Sequence, residues 1–352
     1  MFYDTIHIIN KRCIMMNLDQ KIVVQFYEKF GTKAKGRLVD IVDGPIVCSF
    51  VFEPESMTSV SKLLKAIKEE KDVILSPDGN RMIIQIPKED KKIQLFSDLI
   101  KTQEYEHAKG VIPMMLGVDT TGKVVMKDLA KIPHLLITGR TGGGKTTCTM
   151  SMLKSITKKM APSECKTVIF DPVSVDYGSW KKDPHLLYPV INDLNDGFRK
   201  FDMISKMIDY RYQVFVENNV NNIAEYHEKT HRVDMPYVVI LIDELSYYMH
   251  KHKRITEKFI GTVCSKGRAA GIHLITATQY PMKDVLTLAI KAFFPTQVCF
   301  NSYSTKDSIQ MFGEPGAEKL QPMADMFYSD AGRVPTRIHG ALITVEEIEK
   351  MD

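Results

Sequence analysis

The segment from Gly139 to Thr146 constrains the fold most, because its sequence GRTGGGKT matches the pattern G-x-x-x-x-G-K-[ST]. The apolar run HLLIT precedes this segment. The helix-forming stretch TTCTMSMLKSITKK begins at Thr146, the last residue of the segment, and continues beyond it. A glycine-rich loop between a strand and a helix lets backbone amides and the helix N-terminus face a phosphate group. The sequence therefore predicts a strand, a phosphate-binding loop and a helix in direct succession.

This loop predicts that the chain binds ATP together with Mg²⁺. Lys145 is expected to reach the β- and γ-phosphates, and the Thr146 hydroxyl is expected to ligate Mg²⁺. A glycine-rich turn with a chance lysine is the alternative, which the flanking strand and helix argue against. The predicted nucleotide-binding residues are Gly139, Arg140, Thr141, Gly142, Gly143, Gly144, Lys145, Thr146 and Thr147.

Five short apolar runs with longer helical stretches between them predict an α/β fold with a mostly parallel sheet flanked by helices. These runs are HLLITG, KTVIFD, YVVILIDE, IHLITATQ and TQVCFN. The preceding part of the chain is different in pattern. Alternating segments around Asp43-Gly44-Pro45 and around residues 77–80 predict two strand pairs, and Ser59–Lys71 predicts an amphipathic helix.

These patterns predict three parts of the chain. Residues 1–19 are an N-terminal extension, residues 20–110 form a small α+β domain, and residues 111–352 form the α/β domain that carries the phosphate-binding loop. The run Lys21–Phe30 is compatible with either a short helix or a short strand.

Two further segments carry candidate catalytic residues. At the end of YVVILIDE, Asp243 is expected to hold Mg²⁺ and Glu244 to polarise the attacking water. At the end of IHLITATQ, Gln279 is a candidate sensor of the γ-phosphate or a residue that positions water. Arg268 is predicted to lie in a basic, small-residue turn before that strand. It could complete a neighbouring subunit's site, contact DNA phosphates, or be a solvated or salt-bridged surface arginine.

Composition excludes several classes of protein. A net charge of +4 in 352 residues is too small for a protein that coats nucleic acid along its whole surface, so DNA contacts should be local. No apolar run is long enough to span a membrane, and the six cysteines form no CxxC pair. We therefore expect a cytoplasmic protein that reaches a membrane only through a partner. Separately, His273 and Cys148 are expected to pack in the core.

The segment GRAAGIHLITATQYP resembles the signature of the FtsK/SpoIIIE family of DNA-pumping ATPases, of the HerA/FtsK type. The resemblance covers about residues 35–352, with several motifs in the same order as in the family. The other similar segments are DGPIVCSFVFEP, DLAKIPHLLITGRTGGGKTT, VIFDP, PHLL, YRYQVF, NIAEYHEK, FNSYSTKDSIQMFGEPGAEKL and RIHGALITVEEIEKM.

The resemblance implies a RecA-like ATPase that assembles as a hexameric ring around duplex DNA and moves the DNA at the expense of ATP. Carried over to this chain, Lys145 and Thr146 bind phosphate and Mg²⁺, and Asp243 and Glu244 form the acidic pair. Gln279 corresponds to the family's sensor, and Arg268 corresponds to its arginine in the same segment.

The sequence departs from the family's pattern at three places. Tyr280 stands where the family has an arginine, and the GGAEKL-like stretch has drifted to Gly313–Glu318. No membrane helix, long linker or winged-helix domain is recognisable, which favours a coupling-type ATPase of a conjugative or integrative element. Such a protein would deliver relaxase-bound DNA to a transfer channel, and a phage or plasmid replication accessory is also compatible with the sequence.

Two other functions stay open at this stage. One is an ATP-gated adaptor that recruits a relaxase or a replication protein, and the other is a single-module ATPase of a protein-secretion system. Candidate DNA contacts are Lys181, Lys182, Lys266 and Arg268, although Lys181 and Lys182 are equally compatible with a solvated basic segment.

Overall fold

The computed structural model describes residues 36–68, 73–89, 91–174, 176–232, 234–279, 282–330 and 333–351. The described part of the chain divides into two compact units. The first unit runs to Ile93 and includes Thr120–Lys123, and the second comprises Gln94–Asp119 and the residues from Val124 onwards. The predicted N-terminal extension, the run 21–30 and Tyr280 lie outside the described residues.

The first unit is an antiparallel four-stranded sheet in the order β1-β2-β4-β3, with one helix packed on it. Its core includes Cys48, Phe50, Leu63 and Ile84, all of them fully buried. Both predicted strand pairs and the helix are confirmed, although the helix begins two residues before Ser59. The elements are β1 (Gly36–Asp43), β2 (Val47–Pro54), α1 (Met57–Lys68), β3 (Ile74–Asp78) and β4 (Arg81–Pro87).

The second unit contains a nine-stranded sheet with helices packed against it. Its strands are β5 (Pro113–Asp119), β6 (Val124–Asp128), β7 (His134–Thr138), β8 (Cys165–Phe170), β9 (Tyr237–Ile242), β10 (Ile272–Thr278), β11 (Thr296–Phe300), β12 (Asp325–Asp330) and β13 (Thr336–His339). Its helices are α2 (Phe96–Leu99), α3 (Gln103–Glu106), α4 (Lys145–Thr157), α5 (Leu194–Glu217), α6 (Ile223–Thr230), α7 (Leu245–Ala270), α8 (Leu288–Phe293), α9 (Thr305–Phe312) and α10 (Val345–Met351).

The strand order is β6-β5-β13-β12-β11-β7-β10-β9-β8. The five strands from β11 to β8 are the five predicted apolar runs, and they pair in parallel. The other four strands pair antiparallel, so the sheet is mixed rather than mostly parallel. The predicted α/β architecture, with helices flanking the sheet and a smaller α+β domain earlier in the chain, is confirmed.

The two units divide along the chain between Ile93 and Gln94, whereas the sequence predicts a boundary at residue 110. Phe96, Leu99 and Tyr105 are buried in the core of the second unit, and the Tyr105 hydroxyl donates to the carbonyl of Ser155 at 2.9 Å. The short helices α2 and α3 therefore belong to the second unit and not to the first.

Two buried residues have the packing roles that the sequence predicts. His273 lies in β10 and its Nδ1 is 3.1 Å from the carbonyl oxygen of Pro133. Cys148 is fully buried in α4, and burial raises the pKa of its thiol to about 12, so the thiol stays protonated.

No helix in the described ranges is both long and apolar enough to cross a membrane.

Candidate nucleotide site

The glycine-rich loop runs from the end of β7 to the first residue of α4, as predicted. Gly139 and Gly144 both have positive φ angles, +145° and +99°, a conformation that L side chains rarely adopt. Both also have close neighbours. A Cβ on Gly139 would lie 2.6 Å from the Phe300 Cβ, and a Cβ on Gly144 would lie 2.5 Å from the backbone nitrogen of Ala324. Glycine is therefore required at both positions by conformation and by space.

The loop is held in place by backbone hydrogen bonds from the antiparallel side of the sheet. The Arg140 amide donates to the Asn301 carbonyl at 2.8 Å, and the Ala324 amide donates to the Gly143 carbonyl at 2.9 Å. The Gly340 amide donates in turn to the Ala324 carbonyl at 2.8 Å. The residues directly after β11, before β12 and after β13 thus fix the shape of the phosphate-binding loop.

Lys145 begins α4 and turns its ammonium group back over the loop. Its Nζ donates to the carbonyl oxygens of Gly139 and Arg140, at 2.8 Å and 2.9 Å. Burial lowers the pKa of this ammonium, and the nearby carboxylates of Glu244 and Asp243 oppose that change. An anion bound in the loop would therefore compete with two carbonyl groups for a cation already in place.

Thr146 and Thr147 lie in the first turn of α4 and are half-buried. The amide groups of this turn have no partner within the helix, so they are available to an anion. Both threonines are therefore placed where the sequence predicts nucleotide contacts.

The acidic pair lies beside this loop because β9 and β7 are both neighbours of β10, and all three run in the same direction. Asp243 and Glu244 follow β9 directly and are buried. Glu244 is the N-cap of α7, and its carboxylate accepts hydrogen bonds from the Ser246 amide, the Thr278 hydroxyl and the Gln279 amide at 3.2, 2.7 and 3.1 Å. These three donors fix the orientation of the carboxylate.

Gln279 connects the acidic pair to the loop. Its backbone amide donates to Glu244, and its side-chain oxygen accepts a hydrogen bond from the Thr141 hydroxyl. A ligand that displaced the Thr141 contact would therefore act on a residue bonded to Glu244. The structure brings Lys145, Asp243, Glu244 and Gln279 to one edge of the sheet.

Asp243 lies among other carboxylates that the sequence reading did not assign to the site. Burial raises its pKa to about 7, with further contributions from Asp176, Asp171 and Glu244. The Tyr177 hydroxyl, 3.1 Å from Asp243 Oδ1, acts in the opposite direction. The motif VIFDP already contains Asp171, whereas Tyr177 lies in a connection without any periodic pattern that could have singled it out.

The residues at this edge fit Mg²⁺ by their chemistry. The Thr146 hydroxyl and the Asp243 carboxylate are hard oxygen ligands, the kind that Mg²⁺ prefers. A buried carboxylate whose pKa is raised by burial and by like charges would be stabilised by a divalent cation. Across the described ranges, no cluster of three or more His, Cys, Asp or Glu residues is suited to hold a metal by itself. In proteins, Mg²⁺ usually binds through one or two carboxylates together with substrate phosphates.

Arg268 is not brought to this site within its own chain. It is exposed near the C-terminus of helix α7, whereas the sequence predicts a non-helical turn there. Helix α7 ends just before β10, so Arg268 lies at the N-terminal end of that strand. The phosphate-binding loop lies at the other end of the parallel strands, about 20 Å away if β10 rises by about 3.3 Å per residue.

The other basic candidates are also on the surface. Lys181 and Lys182 end a 3-10 turn at Gly178–Lys182 and are exposed. Lys266 is exposed and pairs with Asp209 at 3.0 Å. No described contact assigns any of the three to the nucleotide site.

Comparison with known proteins agrees with this geometry. The model of the FtsK/SpoIIIE family matches residues 96–283, more than half of the chain. The chain is similar to a DNA translocase FtsK of Clostridium acetobutylicum, with 32% identity over 365 residues that cover 97% of this chain and 47% of the relative. It is also similar to the DNA translocase SftA of Bacillus subtilis, with 33% identity, covering 90% of this chain and 35% of the relative. The chain therefore spans about half, or less, of the length of these curated relatives.

Two solved structures share the fold at low sequence identity. The conjugation coupling protein TcpA of pCW3, in its monomer form with ATPγS, has a TM-score of 0.64 and 19% identity, covering 90% of this chain and 93% of TcpA. The cytoplasmic domain of the type VII secretion ATPase EccC of Thermomonospora curvata also has a TM-score of 0.64, with 16% identity, covering 74% of this chain and 34% of EccC. From the family match and the site geometry together, the chain belongs to the FtsK/SpoIIIE family.

Proposed function

We propose that this chain is an ATP-driven DNA motor that moves or delivers DNA as a coupling ATPase in conjugative transfer or in maintenance of a mobile element. The observation that carries the proposal is the convergence of the glycine-rich loop, Asp243, Glu244 and Gln279 at one sheet edge in a member of the FtsK/SpoIIIE family. Relatives named as DNA translocases support the DNA substrate, and the fold shared with a conjugation coupling protein supports the cellular role.

In this proposal different residues of the chain have different roles in ATP hydrolysis. The loop amides and Lys145 hold the phosphates, while Thr146 and Asp243 would hold Mg²⁺, which neutralises phosphate charge when it is bound. Glu244 accepts a proton from the attacking water, and its three hydrogen-bond donors keep the carboxylate in one orientation. Gln279 responds to the γ-phosphate through its contact with Thr141.

We further propose that the working form is a hexameric ring around duplex DNA, acting in the cytoplasm and recruited to a transfer channel or a relaxase by a partner. The position of Arg268, away from its own chain's loop, supports a role in trans or on DNA. Lys181, Lys182 and Lys266 are candidate phosphate contacts, which would make DNA affinity fall steeply with salt.

The first experiment is ATP hydrolysis by the purified chain, with and without duplex or single-stranded DNA, at low and physiological salt. We expect strong stimulation by duplex DNA, lost in Lys145→Ala and Glu244→Gln. Glu244→Gln should still bind ATP, because the loop and Lys145 are unchanged. Hydrolysis that is indifferent to both forms of DNA, or that survives in Lys145→Ala, would overturn the proposal.

A protein-secretion ATPase is the second candidate, and the fold shared with EccC is the observation that favours it. This function predicts binding of a secreted substrate's signal peptide without affinity for DNA. Titration of a labelled signal peptide and a labelled duplex into the same preparation distinguishes the two functions. If hydrolysis is insensitive to both ligands, an ATP-gated adaptor for a relaxase or replication protein becomes the better hypothesis.

A further inference from the structure

Tyr177 joins the acidic pair to the helix that follows the phosphate-binding loop. Its side chain is fully buried, and its hydroxyl lies 3.1 Å from Asp243 Oδ1 and 2.7 Å from Thr149 Oγ1. Accepting the proposed ATPase function, we propose that Tyr177 is a positioning residue. It orients the Asp243 carboxylate for Mg²⁺ and holds that carboxylate at a fixed distance from α4.

The direction of the hydrogen bonds follows from the number of protons available. When Asp243 is ionised, as it would be with a cation bound, its carboxylate only accepts, so the single phenolic proton of Tyr177 is donated to it. The Tyr177 oxygen is then free to accept from the Thr149 hydroxyl. A directed chain therefore runs from Thr149 through Tyr177 to Asp243, and it starts one helical turn after Thr146, the predicted metal ligand.

The Thr149 hydroxyl has a second acceptor, which makes the chain sensitive to changes at the site. The carbonyl oxygen of Thr146 lies 2.8 Å from Thr149 Oγ1. One hydroxyl proton cannot be donated to both Tyr177 and this carbonyl at full strength. A shift of Asp243 towards or away from Tyr177 therefore changes the strength of the hydrogen bond from Thr149 to the Thr146 carbonyl, in the first turn of α4.

The tyrosine is held where it is by buried contacts on both sides of it. On one side its amide lies 3.4 Å from Asp171 Oδ2. On the other side Trp180 is fully buried, and Asp183 makes a buried ion pair with Lys154 of α4 at 3.2 Å. These contacts fix the segment that carries Tyr177, and the hydroxyl itself is held between Asp243 and Thr149, so the donor is presented at a fixed place, as a preorganised site requires.

Tyr177 occupies one carboxylate oxygen of Asp243 and leaves the other for a ligand. Without the hydroxyl, the carboxylate would be free to rotate and would face Asp171 and Asp176 with one donor fewer. Removal of a group that orients a metal ligand commonly lowers metal affinity by about 10- to 100-fold. We therefore expect weaker Mg²⁺ binding, with little change in how the loop binds phosphate.

The test compares Tyr177→Phe with Tyr248→Phe in the full chain. Tyr248 is a matched control because it is also fully buried and its hydroxyl has no partner among the described residues. The measurement is the Mg²⁺ concentration that half-saturates binding of a fluorescent, non-hydrolysable ATP analogue. Binding of the analogue in EDTA and the unfolding midpoint are measured in parallel.

We expect Tyr177→Phe to raise the half-saturating Mg²⁺ concentration about tenfold, with binding in EDTA unchanged within about twofold. Tyr248→Phe should change neither. Thr149→Val should give a smaller rise in the same direction, which keeps the proposal testable if Tyr177→Phe folds poorly.

Equal Mg²⁺ dependence in Tyr177→Phe, Tyr248→Phe and the natural chain would overturn the positioning role and leave the ATPase proposal standing. A drop in the unfolding midpoint of Tyr177→Phe without any change in Mg²⁺ dependence would also overturn it, because the residue would then be structural. If the natural chain bound the analogue identically with Mg²⁺ and with EDTA, the proposed function itself would fail.

Discussion

Gly142 and Gly144 share a left-handed backbone conformation but differ in their surroundings. A Cβ on Gly142 would have no heavy atom within 4 Å, whereas a Cβ on Gly144 would lie 2.5 Å from the Ala324 backbone nitrogen. The two positions therefore separate the conformational requirement for glycine from the steric requirement.

We expect Gly142→Ala to cost about 1 kcal/mol of unfolding free energy, the penalty for a left-handed alanine. Gly144→Ala should cost at least about twice as much, because the Ala324 amide must also move away from its acceptor, Gly143. Urea unfolding of both variants measures the difference. Equal losses would show that the contact with Ala324 does not constrain the loop.

His134 and His273 form a second feature at the residue scale, in the neighbouring strands β7 and β10. Their ring centroids are 6.3 Å apart, and both side chains are buried. Burial lowers the pKa of His134 to about 3 and that of His273 to about 4, and the proximity of His273 further lowers that of His134. Around His273, Asp128 opposes this change, while Arg211 and Arg268 add to it.

These pKa values predict that acid destabilises the fold. The unfolded chain binds protons on both histidines below about pH 6.5, and the folded chain does not until about pH 4, so stability is lost as the pH falls through that window. Each histidine contributes a slope of about 1.4 kcal/mol per pH unit. Asp243 contributes with the opposite sign, because its pKa is raised in the folded state.

Comparing the natural chain with His273→Leu isolates one histidine and cancels the contribution of Asp243. The difference in unfolding free energy between the two should change by about 1.4 kcal/mol per pH unit from pH 6 to pH 4.5. Urea denaturation at several pH values measures it. A pH-independent difference would mean that His273 is protonated in the folded chain.

At the scale of elements, the connection from β8 to α5 is fastened to α4 by a buried ion pair. Lys154 and Asp183 are almost fully buried and 3.2 Å apart, and the carboxylate also lies 2.8 Å from His185 Nδ1. These groups lower the pKa of Asp183 to about 2 against the opposing effect of burial. The carboxylate is therefore charged at neutral pH and depends on its partners.

We expect Lys154→Met to lower the free energy of unfolding by about 3 kcal/mol, because it leaves a buried carboxylate without its cation. Lys206→Met is the matched control, since Lys206 pairs with Asp202 at 2.6 Å on the exposed face of α5. It should cost less than about 1 kcal/mol. Urea unfolding compares the two, and similar losses would contradict a stabilising role for the buried pair.

The strands differ in how well the sequence predicts them. The five parallel strands are buried on both faces and appear as continuous apolar runs, so they were predictable. Strands β12 and β13 carry Asp325, Arg337 and His339, whose polar side chains are buried. Arg337 and Asp325 pair at 2.6 Å across the two strands, so their burial depends on a contact that no single segment contains.

The same distinction holds at the candidate site. The loop residues and the acidic pair are contiguous in sequence and follow apolar strands, so their placement could be predicted. No sequence motif marks Tyr177 or Thr149, because their role depends on a hydrogen bond between the β8–α5 connection and helix α4. The helical position of Arg268 was also missed, since the glycines at 267 and 271 indicate a turn while only Gly271 ends the helix.

At the scale of the whole molecule, the opposite positions of Arg268 and the phosphate-binding loop allow a test of assembly. In a ring with Arg268 acting in trans, each site takes Glu244 from one subunit and Arg268 from its neighbour. Arg268→Ala and Glu244→Gln should each be inactive alone. Mixed in equal amounts, they should recover about a quarter of the active interfaces.

DNA-stimulated ATP hydrolysis of the mixture, measured after subunit exchange, provides the readout. If Arg268 contacts DNA instead, the mixture should be no more active than the average of its components. A monomeric enzyme with a complete site in each chain would give that same average, and sedimentation in the presence of nucleotide and DNA separates these two cases.

The bracing of the phosphate-binding loop by Ala324 and Gly340 has a consequence for biosynthesis. Both residues are made long after the loop itself, so the loop leaves the ribosome without the strands that give it its shape. Hydrogen bonds between segments so distant in sequence form late and slowly. ATP can therefore stabilise this protein only once nearly the whole second unit has been synthesised, and the nascent chain must reach that point without help from its ligand.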